Sequence, residues 1–178
     1  RKEEAIKVII HEVIHGLRFS QLESDEEISE KLCVKYDLDS RDILIDESYT
    51  EIWAQIFNCL FVSTLTDSVN KYQDFVSLLA IERNFAIYQG AKIEQFARNS
   101  IYKNIDKETN VTAYYLLVGE IYMELEAFLT KCGHRPYIKD KGKCLSFIRD
   151  LPKIPKRRVS VKDEFYSTMR MSAVELVL

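Results

Sequence analysis

Apolar residues recur with a helical period along most of the chain. Ile6, Ile9, Ile10, Val13, Ile14 and Leu17 follow the i, i+3, i+4, i+7 rhythm, which predicts a first helix burying one apolar face. A more polar helix is expected from about Asp25 to Tyr36. The apolar run Ile43 to Ile45 reads as a strand or an extended lead-in to the next helix. That helix carries a stripe of Ile52, Trp53, Ile56, Phe57 and Leu60, with Glu47, Glu51, Ala54 and Asn58 on its other face. Val69, Tyr72, Phe75, Val76, Leu79 and Ile81 continue the period from Ser68 to about Tyr88. Gly90 is expected to separate this helix from another through Phe96 and Ile101. Thr112 to Leu129 is apolar around much of its circumference, so it belongs deep in a bundle, with Gly133 ending it. A short helix near Leu145 to Leu151 and a last one from about Lys162 to Leu176 complete a mainly α chain. The expected organisation is one domain over 1–178. Within it, 1–66 holds the most chemically marked helices, 67–178 forms a helical bundle, and a basic, proline-containing linker lies at about 152–160.

Composition narrows the function classes. With 178 residues, 47% hydrophobic and 30% charged, the chain is long enough for one domain with a substantial core. A net charge of −3 argues against a broad nucleic-acid footprint, and no apolar stretch reaches membrane-spanning length. The basic run of Lys153, Lys156, Arg157 and Arg158, split by Pro152 and Pro155, reads as an exposed linker. Cys33, Cys59, Cys132 and Cys144 lack CxxC spacing, which predicts free thiols in a cytoplasmic or other reducing intracellular compartment. The sequon Asn110-Val111-Thr112 reads as a helix start. Tyrosines such as Tyr72 and Tyr122 read as core packing, whereas Tyr49, lying between two acids, is a candidate to line a cleft.

One motif carries chemistry. His11-Glu12-Val13-Ile14-His15 is an HExxH sequence within the first helix. Histidines four apart lie one above the other on a helix, so both imidazoles can reach one ion. Glu12, about 100° around the helix, can then reach a water activated by that ion. His11 and His15 project roughly opposite the apolar positions, which predicts that they face a cleft. A catalytic zinc site needs a third protein ligand, and with only one further histidine in the chain the search turns to carboxylates, foremost those of Asp46 to Asn58.

The pair HEVIH and ESYTEIWA resembles the gluzincin branch of the zinc metallopeptidases. The likeness covers about fifty residues. It implies a helical, zincin-like catalytic subdomain with Glu47 as the third zinc ligand and Glu51 as the acid that orients a ligand histidine. The alternative is Glu51 as ligand with Glu47 at the rim. ESYTEIWAQIFN and NVTAYYLLVGEIY, with the lysine-, isoleucine- and tyrosine-rich texture, also resemble metallopeptidases encoded by large DNA viruses, which brings in a virion as the alternative setting.

The resemblance implies peptide-bond hydrolysis. Zn2+ held by His11, His15 and Glu47 would activate water, and Glu12 would act as general base. An oxyanion donor is expected from downstream, and Cys132-Gly133-His134-Arg135-Pro136-Tyr137 offers His134, Arg135 and Tyr137. The partner implied is a peptide or protein substrate, with no nucleic acid and no membrane. Zincin folds place a sheet upstream of the motif helix. With only ten residues before His11 that sheet is expected to be missing or minimal, and the chain reads as a piece of something longer. The rival expectation is a structural or interaction protein, such as a viral component, that keeps the scaffold without turnover.

Overall fold

The structure is a computed structural model describing residues 5–22, 26–37, 43–97, 110–160 and 162–174. It is mainly α-helical, and no strand occurs among the described residues. The helices are α1 (Ala5–Gly16), α2 (Glu26–Tyr36), α3 (Ile45–Leu65), α4 (Lys71–Ala97), α5 (Val118–Met123), α6 (Leu125–Cys132) and α7 (Lys141–Arg149), with a π-helical turn, Thr112–Leu117, leading into α5. Helix α1 packs on α3, α3 on α4, and α4 on the π turn and α5; α6 pairs with α7, which also touches α2.

Helix α3 is the centre of this arrangement because it is buried around its circumference from Ser48 to Gln55. Ile45, Tyr49, Ile52 and Ala54 join Leu117, Val118, Ile121, Tyr122 and Phe128 in the main core. Its buried hydroxyls stay hydrogen-bonded, as burial requires. Ser48 Oγ donates to Ile45 O (2.7 Å) and Thr50 Oγ1 to Ser20 Oγ (2.7 Å). Leu60, expected in the stripe, is exposed. Ile43 is a buried, non-helical lead-in to α3.

Helix α1 keeps only part of the face expected of it, with Ile14 in the core and Ile10 packed against it. Its buried residues are Lys7, His11 and Ile14, while Val8, Ile9, Val13 and Leu17 are exposed. The cause is α3, whose Glu47 and Glu51 draw in the face bearing Lys7 and the histidines.

Other departures have equally local causes. Helix α4 runs unbroken through Gly90, where a Cβ would overlap Ile154 Cδ1 and lie 2.9 Å from Tyr115 O. The glycine therefore permits close packing and does not end the helix. Tyr72 sits in the first turn of α4 and is exposed, whereas Tyr122 is core. Tyr49 does not line a cleft: it is fully buried against Phe128, ring centroids 5.5 Å apart, and its hydroxyl donates to Arg135 O. Asn110 takes a positive φ of 49° and the helix begins after it, so the sequon does mark a helix start. The expected single helix from Thr112 to Leu129 is instead the π turn, α5 and α6, with a break at Glu124 (φ −112°, ψ 33°). Gly133, at φ 127°, ends α6 as expected.

Residues 152–160 are extended and pinned to α4. Ile154 and Val159 are buried, Gln95 Oε1 accepts from Val159 N (2.8 Å), and the cations at 153 and 156–158 are exposed. The helix expected over Lys162 to Leu176 does not form in the described part, which consists of turns and extended chain to 174. Its backbone carbonyls accept from side chains of other elements in place of an i to i−4 ladder. Tyr115 hydroxyl reaches Met169 O (2.8 Å), Gln89 reaches Arg170 O (3.0 Å), Gln55 reaches Met171 O (2.6 Å) and Asn58 reaches Val174 O (2.9 Å). Of the positions singled out in the sequence, Asp25, Ile101 and Leu176 lie outside the described residues.

Candidate metal centre

Three donor atoms converge where α1 crosses α3. His11 Nε2 lies 3.2 Å from Glu47 Oε2, His15 Nε2 lies 3.3 Å from the same oxygen, and the two imidazole nitrogens are 3.1 Å apart. A tetrahedral ion with bonds of about 2.0–2.1 Å spaces its ligands about 3.3 Å apart. The observed triangle therefore fits one small divalent cation, and His11, His15 and Glu47 form a group that could hold it. The histidines reach the site because they are one helical turn apart; Glu47 reaches it from the first turn of α3.

The far side of His11 fixes which nitrogen is free. Its Nδ1 lies 3.1 Å from Glu51 Oε2, and a proton there, donated to the carboxylate, leaves the Nε2 lone pair for an ion. Glu51 has no exposed surface. Its Oε1 accepts from Lys7 Nζ (2.8 Å) and Gln55 Nε2 (2.9 Å). Glu51 thus meets His11 at Nδ1, while Glu47 stands with the two histidines in the group that could hold an ion.

Charge follows from these contacts. Burial works against protonated His11, but hydrogen bonds to Glu47 and Glu51 and their charges outweigh it, raising the pKa from 6.5 to about 9. Glu47 is lowered to about 2, first by its hydrogen bond with His11, against the cost of burial, and with help from Tyr114. Burial would raise Glu51, yet the Lys7 charge and the His11 bond bring it below the usual carboxylate range. The two carboxylates thus favour the protonated His11 ring, and an ion taken up at Nε2 would displace that proton.

Tyr114 is the residue the sequence did not reveal. Its hydroxyl donates to Glu47 Oε2 at 2.6 Å, and burial followed by that bond raises its pKa strongly, so it remains protonated. Neighbours on the π turn, the two tyrosines serve different elements: Tyr114 meets Glu47 while Tyr115 meets Met169 O. Lys7 and Gln55 were more accessible to reasoning, since Lys7 is one turn before His11 and Gln55 one turn after Glu51.

Glu12 is exposed on α1, and its charge is the smallest of the contributions that raise the Tyr114 pKa. His134 and Tyr137 are not brought to it. They line a cavity between α6 and α7 whose walls include none of His11, His15, Glu47, Glu51 or Tyr114. All four cysteines are free and buried. No helix among the described residues is long and apolar enough to cross a membrane. No protein-family model, curated protein or solved structure matches the chain.

Proposed function

We propose that the chain is a zinc-dependent peptide hydrolase of gluzincin type. The observation that carries the reading is the triangle of His11 Nε2, His15 Nε2 and Glu47 Oε2, backed by the Glu51 contact on His11 Nδ1. Two histidines and one carboxylate would be the donor set of a catalytic zinc rather than of a closed four-ligand structural one. Zinc bound there supplies a water with a pKa near about 7 and polarises a carbonyl oxygen. Glu12 takes the proton of the attacking water and passes it to the leaving nitrogen, and its exposure leaves it free to do so. Tyr114, held by Glu47 and kept protonated, donates to the oxyanion that forms on the carbonyl. In this reading it fills the role expected of His134 or Tyr137.

Protein purified without chelator should contain about one zinc per chain. Glu12→Gln should keep that zinc and lose roughly 10²–10⁴-fold of its peptide hydrolysis, measured by mass spectrometry on a peptide library. A folded chain that takes up no metal at saturating zinc would sink the proposal.

The exposed apolar positions Val8, Ile9, Val13 and Leu17 beside Glu12 favour a second reading, a non-catalytic interaction protein in which the metal only joins α1 to α3. Equal, metal-independent inactivity of the wild type and Glu12→Gln, with zinc bound in both, would decide for it.

A further inference from the structure

The segment that did not join the metal centre has a marked chemistry of its own. Residues 130–143 contain five Lys or Arg and one acid, a local charge of +4 in a chain whose net charge is −3. They line an open surface cavity of about 690 Å³, within the size range of small-molecule sites. Lys131, Arg135, Lys139 and Lys143 line it together with His134, and the single carboxylate on its wall is Asp140.

That carboxylate is already engaged. Asp140 caps α7, its Oδ1 accepting from Lys143 N (3.0 Å), while its Oδ2 lies 3.5 Å from Lys143 Nζ. Among the described residues no ion pair of Arg135 or Lys139 is found, while the Lys131 ammonium lies over the Phe147 ring, 5.5 Å from its centroid. The wall is also held in place: Gly133 at φ 127° turns the chain back from α6, Ile138 N donates to Phe19 O (3.2 Å), and Tyr49 hydroxyl donates to Arg135 O. Anchored and lined by Lys131, Arg135, Lys139 and Lys143, the cavity gathers positive charge in a chain whose net charge is −3.

We propose that the cavity between α6 and α7 binds a small, multiply charged phosphate-type anion. Arg135 offers a planar fork for two phosphate oxygens, and Lys131, Lys139 and Lys143 supply point charges. Tyr137, whose ring is exposed on the same wall, provides a face on which an organic group attached to the phosphate can stack.

The test is calorimetric titration of the metal-free full-length chain with inorganic pyrophosphate at about 0.15 M salt, where long-range attraction is screened. Removing metal keeps pyrophosphate from reporting on the centre at His11 and His15. Saturable binding at one site is expected, weakened about tenfold or more by Arg135→Ala combined with Lys139→Ala. The pair Lys153→Ala and Lys156→Ala removes the same charge from the exposed strap and should leave the affinity within about twofold. Arg135→Gln with Lys139→Gln, checked by circular dichroism, repeats the loss with polar chains of similar reach. Absence of saturable binding, or equal weakening by the pocket and strap pairs, overturns the proposal. Adenosine diphosphate is the second probe. Tighter binding than pyrophosphate, erased by Tyr137→Ala, identifies an organic phosphate; equal binding identifies the inorganic ion, and either result supports the site.

Discussion

Glu51 and Glu82 are both fully buried carboxylates, and the protein treats them in opposite ways. Glu51, between α1 and α3, meets charge: Lys7 at 2.8 Å and the His11 ring at 3.1 Å bring its pKa below the usual range. Glu82, on α4, meets only neutral donors. Its Oε2 accepts from Ser172 Oγ (2.9 Å), Ala173 N (3.0 Å) and Val174 N (3.0 Å), while Oε1 has no partner. Burial therefore dominates, and with the Glu51 charge adding to it the pKa rises to about 7 in spite of those bonds. Three neutral hydrogen bonds do not replace one cation when a charge is taken out of water. At the candidate metal centre the buried charge is kept, where it orients a ligand. At the C-terminal segment the acid serves as an anchor that prefers its proton.

The comparison breaks most sharply at Lys7. Lys7→Met leaves Glu51 with His11 and Gln55 as its remaining partners, and removal of one member of a buried ion pair costs about 3–5 kcal/mol. Urea unfolding of metal-free protein at pH 7 should show a loss of this order. Adding Glu51→Gln should restore part of it, because the uncompensated charge is then gone. A loss below about 1 kcal/mol would mean that Lys7 does not hold Glu51 charged.

Glu82 should respond in the other direction. Its folded pKa of about 7 lies above the unfolded value of about 4.3, so its contribution is fully present below pH 4.3 and is lost as pH rises through 7. Glu82→Gln keeps an acceptor for the backbone of 173 and 174 without the charge. The variant should therefore match wild type near pH 4.5 and exceed it at pH 8, by at most roughly 2–4 kcal/mol. Denaturation midpoints across that range test the sign; a wild type that gains stability over the variant as pH rises would overturn it.

The same contrast explains what the sequence could disclose. Glu51 was marked through the resemblance of HEVIH and ESYTEIWA to the gluzincins, which implied an orienting role beside the alternative of Glu51 as ligand; spacing alone gave only a helix with two histidines four apart and another with two acids four apart. The helical class and the end of α6 at Gly133 were legible directly. The buried face of α1 was not, because hydrophobic patterning assigns Ile9 and Val13 to the core, whereas Glu47 and Glu51 on α3 draw the polar face inward. Glu82 and the extended segment through Val174 were hidden for a related reason. Over Lys162 to Leu176 the apolar spacing suits a helix, but side chains from α3, α4 and the π turn capture the backbone first. Tyr114 was hidden because its bond to Glu47 joins positions 67 residues apart, which local spacing does not disclose.

Gln55 joins the two regions, and its substitution should have the smallest effect. Its amide nitrogen donates both to Glu51 Oε1 (2.9 Å) and to Met171 O (2.6 Å), one residue before the segment that Glu82 anchors. Gln55→Leu removes two hydrogen bonds, one of them to a charged group, but also removes the buried Gln55 Oε1, which has no partner. The opposing terms leave a net loss of about 1–2 kcal/mol. A double-mutant cycle with Glu82→Gln then reads the connection directly. Without the Gln55 bond to Met171 O the chain next to Ser172 is held less firmly, so the effects of the two substitutions should couple by about 0.5 kcal/mol or more. Strict additivity would show that the metal-side acid and the C-terminal anchor are energetically separate, with Gln55 merely touching both.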